Sequence, residues 1–385
     1  MRDLVEIGMG RTARRAFGLD EVEIVPSRRT RSSKDVSTAW QIDAYRFDLP
    51  LITHPTDAVV SPGTAVRLGE LGGLGVLNAE GLWARHPDVD DVLFRLVRAA
   101  EENPDDPAVL VRMLQELHAA PIRVDLLTEA VSQIRESGVT VAARVSPQRA
   151  AALSADLIAA GVEILVVQGT IVSAEHVARD QAGGEPLNLK DFIADLDIPV
   201  IAGGVHDYRT AMHLMRTGAA GVIVGFGDQE GVTSTDSVLG IGVPMATAIV
   251  DAAAARRDYL DETGGRYVHV IADGGVRTSG DIAKSIACGA DAVMLGAPLA
   301  AASEAPGQGL YWTSAAAHPS LPRSEVAEVA DFLGDAEVDL KTLLFGPAST
   351  ADGRVNLFGA LRRAMAKTGY SDLKEFQRVG LTVRG

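Results

Sequence analysis

The chain has 385 residues, 39 of them glycine, with 47% hydrophobic and 5% aromatic content and a formal net charge of −15. That balance argues against a nucleic-acid surface, which needs clustered positive charge, but not against one nucleotide held in a pocket. A single cysteine rules out an internal disulfide framework, no basic-then-apolar leader opens the sequence, and no apolar run reaches the ~18 residues of a membrane span. A cytoplasmic protein without nucleic-acid or membrane partners is expected.

In chain order, the basic run Arg28-Arg29-Thr30-Arg31 with Lys34 reads as a solvated loop. Eight short β-branched segments then follow: FDLPLITHP, LGVLNA, TVAARVS, VEILVVQG, IPVIAGG, GVIVGFG, VHVIADGG and DAVMLGA. Each ends in glycine or a polar residue, and helical segments such as SPQRAAALSADLIAAG and DYRTAMHLMRTGAAG alternate with them. This pattern predicts an α/β fold, a TIM (β/α)8 barrel, as a single domain over residues 1–385. One crossover is too long. It carries a helical insert over about residues 80–119, after the second strand, expected to pack as an excursion or to serve as a lid or oligomer contact. A C-terminal helical extension is expected over about 345–385.

The richest stretch is Asp273-Gly274-Gly275 at the end of the seventh strand, with Gly296 at the end of the eighth. Glycines let backbone N–H groups approach an anion, because no Cβ blocks the way. Two adjacent strands ending so are a way for a parallel barrel to build a phosphate cup, with Asp273 placed to grip a ribose diol. Cys288 falls in a helix-to-strand turn, on the barrel face opposite such chemistry, and is expected to be a buried small hydrophobe.

The same stretch, together with PLITHPTDAVV, GGLGVLN, IAGGVHDYRTA, LGIGVPMATAI, LGAPLAAASEAPG and LFGALRRAMAKTGYSDLKEFQ, resembles the IMP dehydrogenase and GMP reductase family, with the blocks in the family's order. The resemblance implies an oxidoreductase acting on a purine 5′-monophosphate (IMP, GMP or XMP) with NAD(P), no metal, and barrels assembled as a homotetramer. It assigns nucleotide binding to Asp273, Gly274, Gly275, Gly296, Ala297, Tyr311 and Gly231. The insert is too short for the paired CBS modules that many of these enzymes carry, so CBS regulation is not expected.

Several positions depart from the family pattern. Thr233 stands where the family places the cysteine that attacks purine C2, so covalent chemistry has no thiol. Gly231 and Ala297 replace serines, and Gln168 replaces the aspartate that holds the nicotinamide ribose. His54, in Thr53-His54-Pro55-Thr56-Asp57, is open to two readings, an acid or base at the mouth or a packed histidine. Between His318 and Leu340 there is Arg323 but no tyrosine beside it, so the water-activating pair of the dehydrogenases is missing. Thr233, Ser234 or Thr235 could replace a thiol only with a dedicated base. The resemblance therefore leaves three readings: modified or weak oxidoreductase chemistry, a catalytically silent purine-nucleotide-binding regulator or partner, and an FMN-binding barrel.

Overall fold

The computed structural model describes residues 4–106, 108–174, 187–227, 240–314, 327–328 and 338–384. Its centre is an eight-stranded parallel sheet: β1 (Leu51–Thr53), β2 (Val76–Asn78), β3 (Ala142–Val145), β4 (Ile164–Gln168), β5 (Val200–Val205), β6 (Gly221–Val224), β7 (His269–Asp273) and β8 (Ala292–Leu295). The strands pair in sequence order from β2 to β8, and β8 then pairs with β1. The seam between β1 and β2 is closed by backbone bonds between Leu51, Thr53 and Leu74, and by the Thr53 hydroxyl, which accepts from the Val76 N–H at 2.8 Å. A parallel sheet closed on itself has no free edge, so its strands are buried on both faces and read as continuous Val, Ile and Ala runs.

Local chemistry sets the helix boundaries. α1 (Pro62–Glu70) opens on a Ser61–Thr64 capping box with proline in the first turn. In the insert, α2 (Val89–Glu102) and α3 (Ala108–Ala119) bury Val92, Leu93, Leu96, Leu110 and Leu114 at three- and four-residue spacing. The insert is thus a packed helical pair. It is also tied by polar atoms, since His118 of α3 donates from Nδ1 to the Leu114 carbonyl at 2.9 Å and turns Nε2 to 3.5 Å from the buried Asp57. α4 (Val124–Glu136), α5 (Ala150–Ala160), α6 (Leu189–Ala194), α7 (Tyr208–Met215), α8 (Met245–Thr263), α9 (Ser279–Ala287) and the single turn α10 (Ala297–Ala300) complete the ring.

The C-terminal segment follows the expected helices with α11 (Leu340–Phe345), α12 (Leu357–Lys367) and α13 (Leu373–Phe376). It then ends in a strand, Leu381–Val383, paired antiparallel with Val22–Ile24, an element the sequence pattern did not announce. Two further hairpins, Leu4–Gly8 with Arg11–Arg14 and Trp40–Ile42 with Tyr45–Phe47, are likewise additions to the expected barrel. Residues 28–35 lie exposed, as a solvated loop should. No described helix is long and apolar enough to cross a membrane.

Asp291, at the bottom of the barrel before β8, fastens the C-terminal segment. Its carboxylate accepts from Arg256 Nη1 (2.7 Å), Lys374 Nζ (2.5 Å), the Tyr267 hydroxyl (2.8 Å), Gln377 Nε2 (3.1 Å) and the Val270 N–H (2.9 Å). Burial works against the charge, but Arg256 and Lys374 outweigh it and hold the group well below the usual carboxylate range. Burial also pushes the neighbouring His269 imidazole down to about 4, so it is neutral in the fold.

Asp291→Asn should lower stability by roughly 3–5 kcal/mol in urea titrations at neutral pH, because it strips two cations of their partner. The signs of the pH dependence follow from the two shifts. Asp291 contributes in full above the unfolded carboxylate value and loses that contribution as pH falls through its lower folded value. An imidazole ordinarily titrates near 6.5 and His269 in the fold near 4, so the unfolded chain protonates first and stability falls as pH drops from 6.5. The His269 effect is at most ~3 kcal/mol, and His269→Gln should flatten the limb between about pH 6.5 and 5.

Candidate functional site

The C-terminal ends of the barrel strands bring together residues that are far apart in sequence. Asp273 ends β7 and is 1% exposed. Its Oδ2 accepts from Gln168 Nε2, at the end of β4, at 2.7 Å, and from His54 Nδ1, just past β1, at 3.1 Å. Since a carboxylate only accepts, His54 carries its proton on Nδ1 in this pair. Gln168 and His54 are both fully buried. The His54 ring stands edge-on to Phe226, past β6, with centroids 5.3 Å apart. Its Nε2 is buried and has no hydrogen-bond partner among the described residues.

A second layer supports the first. Arg144 of β3 donates from Nη2 to the Gln168 carbonyl at 2.8 Å and from Nη1 to Asn78 Oδ1 at 3.4 Å, with Glu80 3.8 Å away. Burial lowers its pKa, opposed by the charges of Glu80 and Asp57. Sequence reasoning missed this arginine. The available signal was a lone cation inside the apolar strand run VAARVS, since a charge buried there must find partners.

The glycine turns have the geometry that an approach to an anion requires. Gly274 and Gly275 take φ of +142° and +66°, conformations that side-chain-bearing residues rarely adopt. α9, which follows, is closed by its own capping box: Thr278 accepts from the Asp281 N–H at 3.2 Å, and Asp281 Oδ2 accepts from the Thr278 N–H at 2.9 Å. The start of α9 is thus capped from within the chain, just past the glycine turn. At Gly296 a Cβ would run into the Tyr311 hydroxyl and ring, so Tyr311 lies directly against the second turn, beside Ala297 at the start of α10. The segment holding Tyr311 folds back over the mouth: the Thr56 hydroxyl donates to the Trp312 carbonyl, and Thr313 sits against Gly227.

The structure thus brings together Asp273, Gln168 and His54, and separately Gly296 with Tyr311. Gln168, matched by resemblance to a ribose-holding aspartate, points inward to Asp273. Thr233, Gly231, Ser234, Thr235 and Arg323 lie outside the described residues. Cys288 caps α9 on the opposite face, buried, with its thiol pushed by burial up to about 12, so it is no nucleophile for this mouth. Among the described residues no group of three or more His, Cys, Asp or Glu side chains is placed to hold a metal ion.

These features belong to a recognisable class, a (β/α)8 barrel with glycine turns at the ends of β7 and β8. A family model described as the IMP dehydrogenase / GMP reductase domain matches residues 16–318, and the chain belongs to that oxidoreductase family. It is 65% identical, over 99% of its length and 100% of the relative's, to a Mycobacterium tuberculosis protein named only as an uncharacterized oxidoreductase. To the inosine-5′-monophosphate dehydrogenase of Aquifex aeolicus it is 32% identical, over 60% of this chain and 46% of that one. A crystal structure of an IMP dehydrogenase/GMP reductase-like protein from Corynebacterium glutamicum superposes with a TM-score of 0.91 at 55% identity, covering 99% of this chain and 98% of that one.

Gln168→Met should remove one of the two donors to the Asp273 carboxylate while nearly conserving volume. A loss of ~1–3 kcal/mol in chemical denaturation is expected. An unchanged midpoint would mean that the amide does not support the carboxylate.

Proposed function

We propose that this protein binds a purine nucleoside 5′-monophosphate (IMP, GMP or XMP) at the barrel mouth, as an oxidoreductase-family enzyme whose chemistry does not pass through a thiol adduct. The observation that carries the reading is the pair of glycine turns, Gly274–Gly275 and Gly296, closed over by Tyr311. Backbone N–H groups of these turns and of Ala297 would receive the phosphate, and Asp273 would face the ribose. Family membership supports the class of ligand, since the relatives that carry a specific name are inosine-5′-monophosphate dehydrogenases.

NAD(P) belongs to this proposal as the family's partner in hydride transfer. The residues at hand do not fit the expected grip on its nicotinamide ribose: the position after β4 is Gln168, fully buried and engaged with Asp273. No step is therefore derived through the dinucleotide. Within this chain, Asp273 would orient the sugar, the glycine turns would hold the charge, and the Tyr311 segment would exclude water.

Calorimetric titration with IMP, GMP and XMP tests the reading. Micromolar binding of one of them is expected, weakened at least ~10-fold by Asp273→Ala, a loss of about 1.4 kcal/mol or more. Binding accompanied by a change in nicotinamide absorbance with NAD(P) is the enzyme outcome. Binding without it leaves a nucleotide-responsive regulator, a reading that the threonine at position 233 favours. A yellow protein that takes up FMN and ignores purine nucleotides would overturn both.

A further inference from the structure

Three buried polar atoms of this network have no hydrogen-bond partner among the described residues: Gln168 Oε1, Arg144 Nε and His54 Nε2. Of these, His54 lies at the mouth, 0% exposed, with Nδ1–H committed to Asp273. Leaving a buried nitrogen bare is unfavourable relative to hydrogen-bonding it, so its persistence at a ligand site needs a reason. The surroundings do not supply one. Phe226 meets the ring edge-on, and Gly227 faces it so closely that a Cβ there would lie 3.4 Å from Cε1 and 3.7 Å from Nε2. Thr313 meets Gly227 through its methyl carbon, Cγ2, at 3.0 Å from the same Cβ position.

Asp273 decides what Nε2 can do. With Nδ1 protonated and donating to Oδ2, the neutral imidazole has its lone pair on Nε2, which is then a hydrogen-bond acceptor. Gln168 donates to the same oxygen and keeps the carboxylate in place. The result is an oriented acceptor on a rigid barrel rim, beside the carboxylate expected to face the sugar.

We propose that His54 is a ligand-reading residue of this site: Nε2 accepts a hydrogen bond from a donor of the bound nucleotide, either the N1–H of a 6-oxopurine ring or a ribose hydroxyl. This inference rests on the nucleotide reading above and adds to it the atom that reads the ligand.

The test is calorimetry of the full chain with IMP, AMP and 2′-deoxy-IMP at about pH 8, where the imidazole is neutral. His54→Phe keeps a ring, removes the nitrogens and is expected to bind IMP at least ~10-fold more weakly than the unmutated protein. If AMP alone loses affinity for the unmutated protein, the donor is N1–H; if 2′-deoxy-IMP alone does, it is the ribose. That preference should vanish in His54→Phe. Gln168→Met serves as the control for a merely structural role: it disturbs Asp273 but leaves Nε2, so it should retain the preference.

Equal IMP affinity and an unchanged preference among the three nucleotides in the unmutated protein and His54→Phe would overturn the inference while leaving the nucleotide reading intact. No binding of any nucleotide would overturn both. Should His54→Phe fail to fold, nitrogen-15 histidine NMR of the unmutated protein decides. An Nε2 resonance that moves on IMP addition supports the contact, and one that stays in place refutes it.

Discussion

A carboxylate buried at the mouth of a closed barrel must find its donors within the protein, because water cannot reach it and an unsatisfied charge there is costly. Asp273 meets that requirement by drawing Gln168 from β4 and His54 from β1 onto one oxygen, linking strands that are not neighbours in the sheet. Much else at the mouth follows from this. Gln168 turns inward, its carbonyl becomes the acceptor for Arg144, and the His54 tautomer is set. Asp273, Gln168, His54 and Arg144 therefore form one connected network, with Gly296 and Tyr311 in a separate contact.

The two ends of the barrel solve the same problem differently. At the bottom, Asp291 is surrounded by two cations, a phenol, an amide and a backbone N–H, and its function is to hold the C-terminal segment. At the top, among the described residues, Asp273 accepts from the Gln168 amide and the His54 ring. The two carboxylates, both almost fully buried, thus differ in the partners that satisfy them.

Much of the fold could be read from the chain. All eight strands appear where β-branched runs end in glycine or a polar residue, because the two-sided burial of a parallel barrel leaves that trace. The insert and the C-terminal extension were expected to be helical, and helices lie in both. The hairpins before β1 and the closing strand Leu381–Val383 were not foreseen: their strands are only three to five residues long, and Leu381–Val383 pairs with Val22–Ile24 near the other end of the sequence. Of the site, Asp273-Gly274-Gly275 and Gly296 were readable because glycine has few reasons to recur at strand ends. Tyr311 was matched by resemblance to a tyrosine that closes over a phosphate; the structure sets it against Gly296.

By itself, the sequence determined the barrel, the position of the glycine cup, the loss of the thiol at position 233 and the family to which the chain belongs. These depend on local pattern and residue identity. Only the tertiary structure decided that Gln168 faces Asp273 and that His54 shares the same carboxylate with a bare Nε2. It alone placed Arg144 beneath that network and set Asp291 apart as a structural anchor. The physical reason is that hydrogen bonds across a barrel join residues separated by 105 or 219 positions, and side-chain direction at a strand end is set by the closed sheet and not by neighbours in the chain.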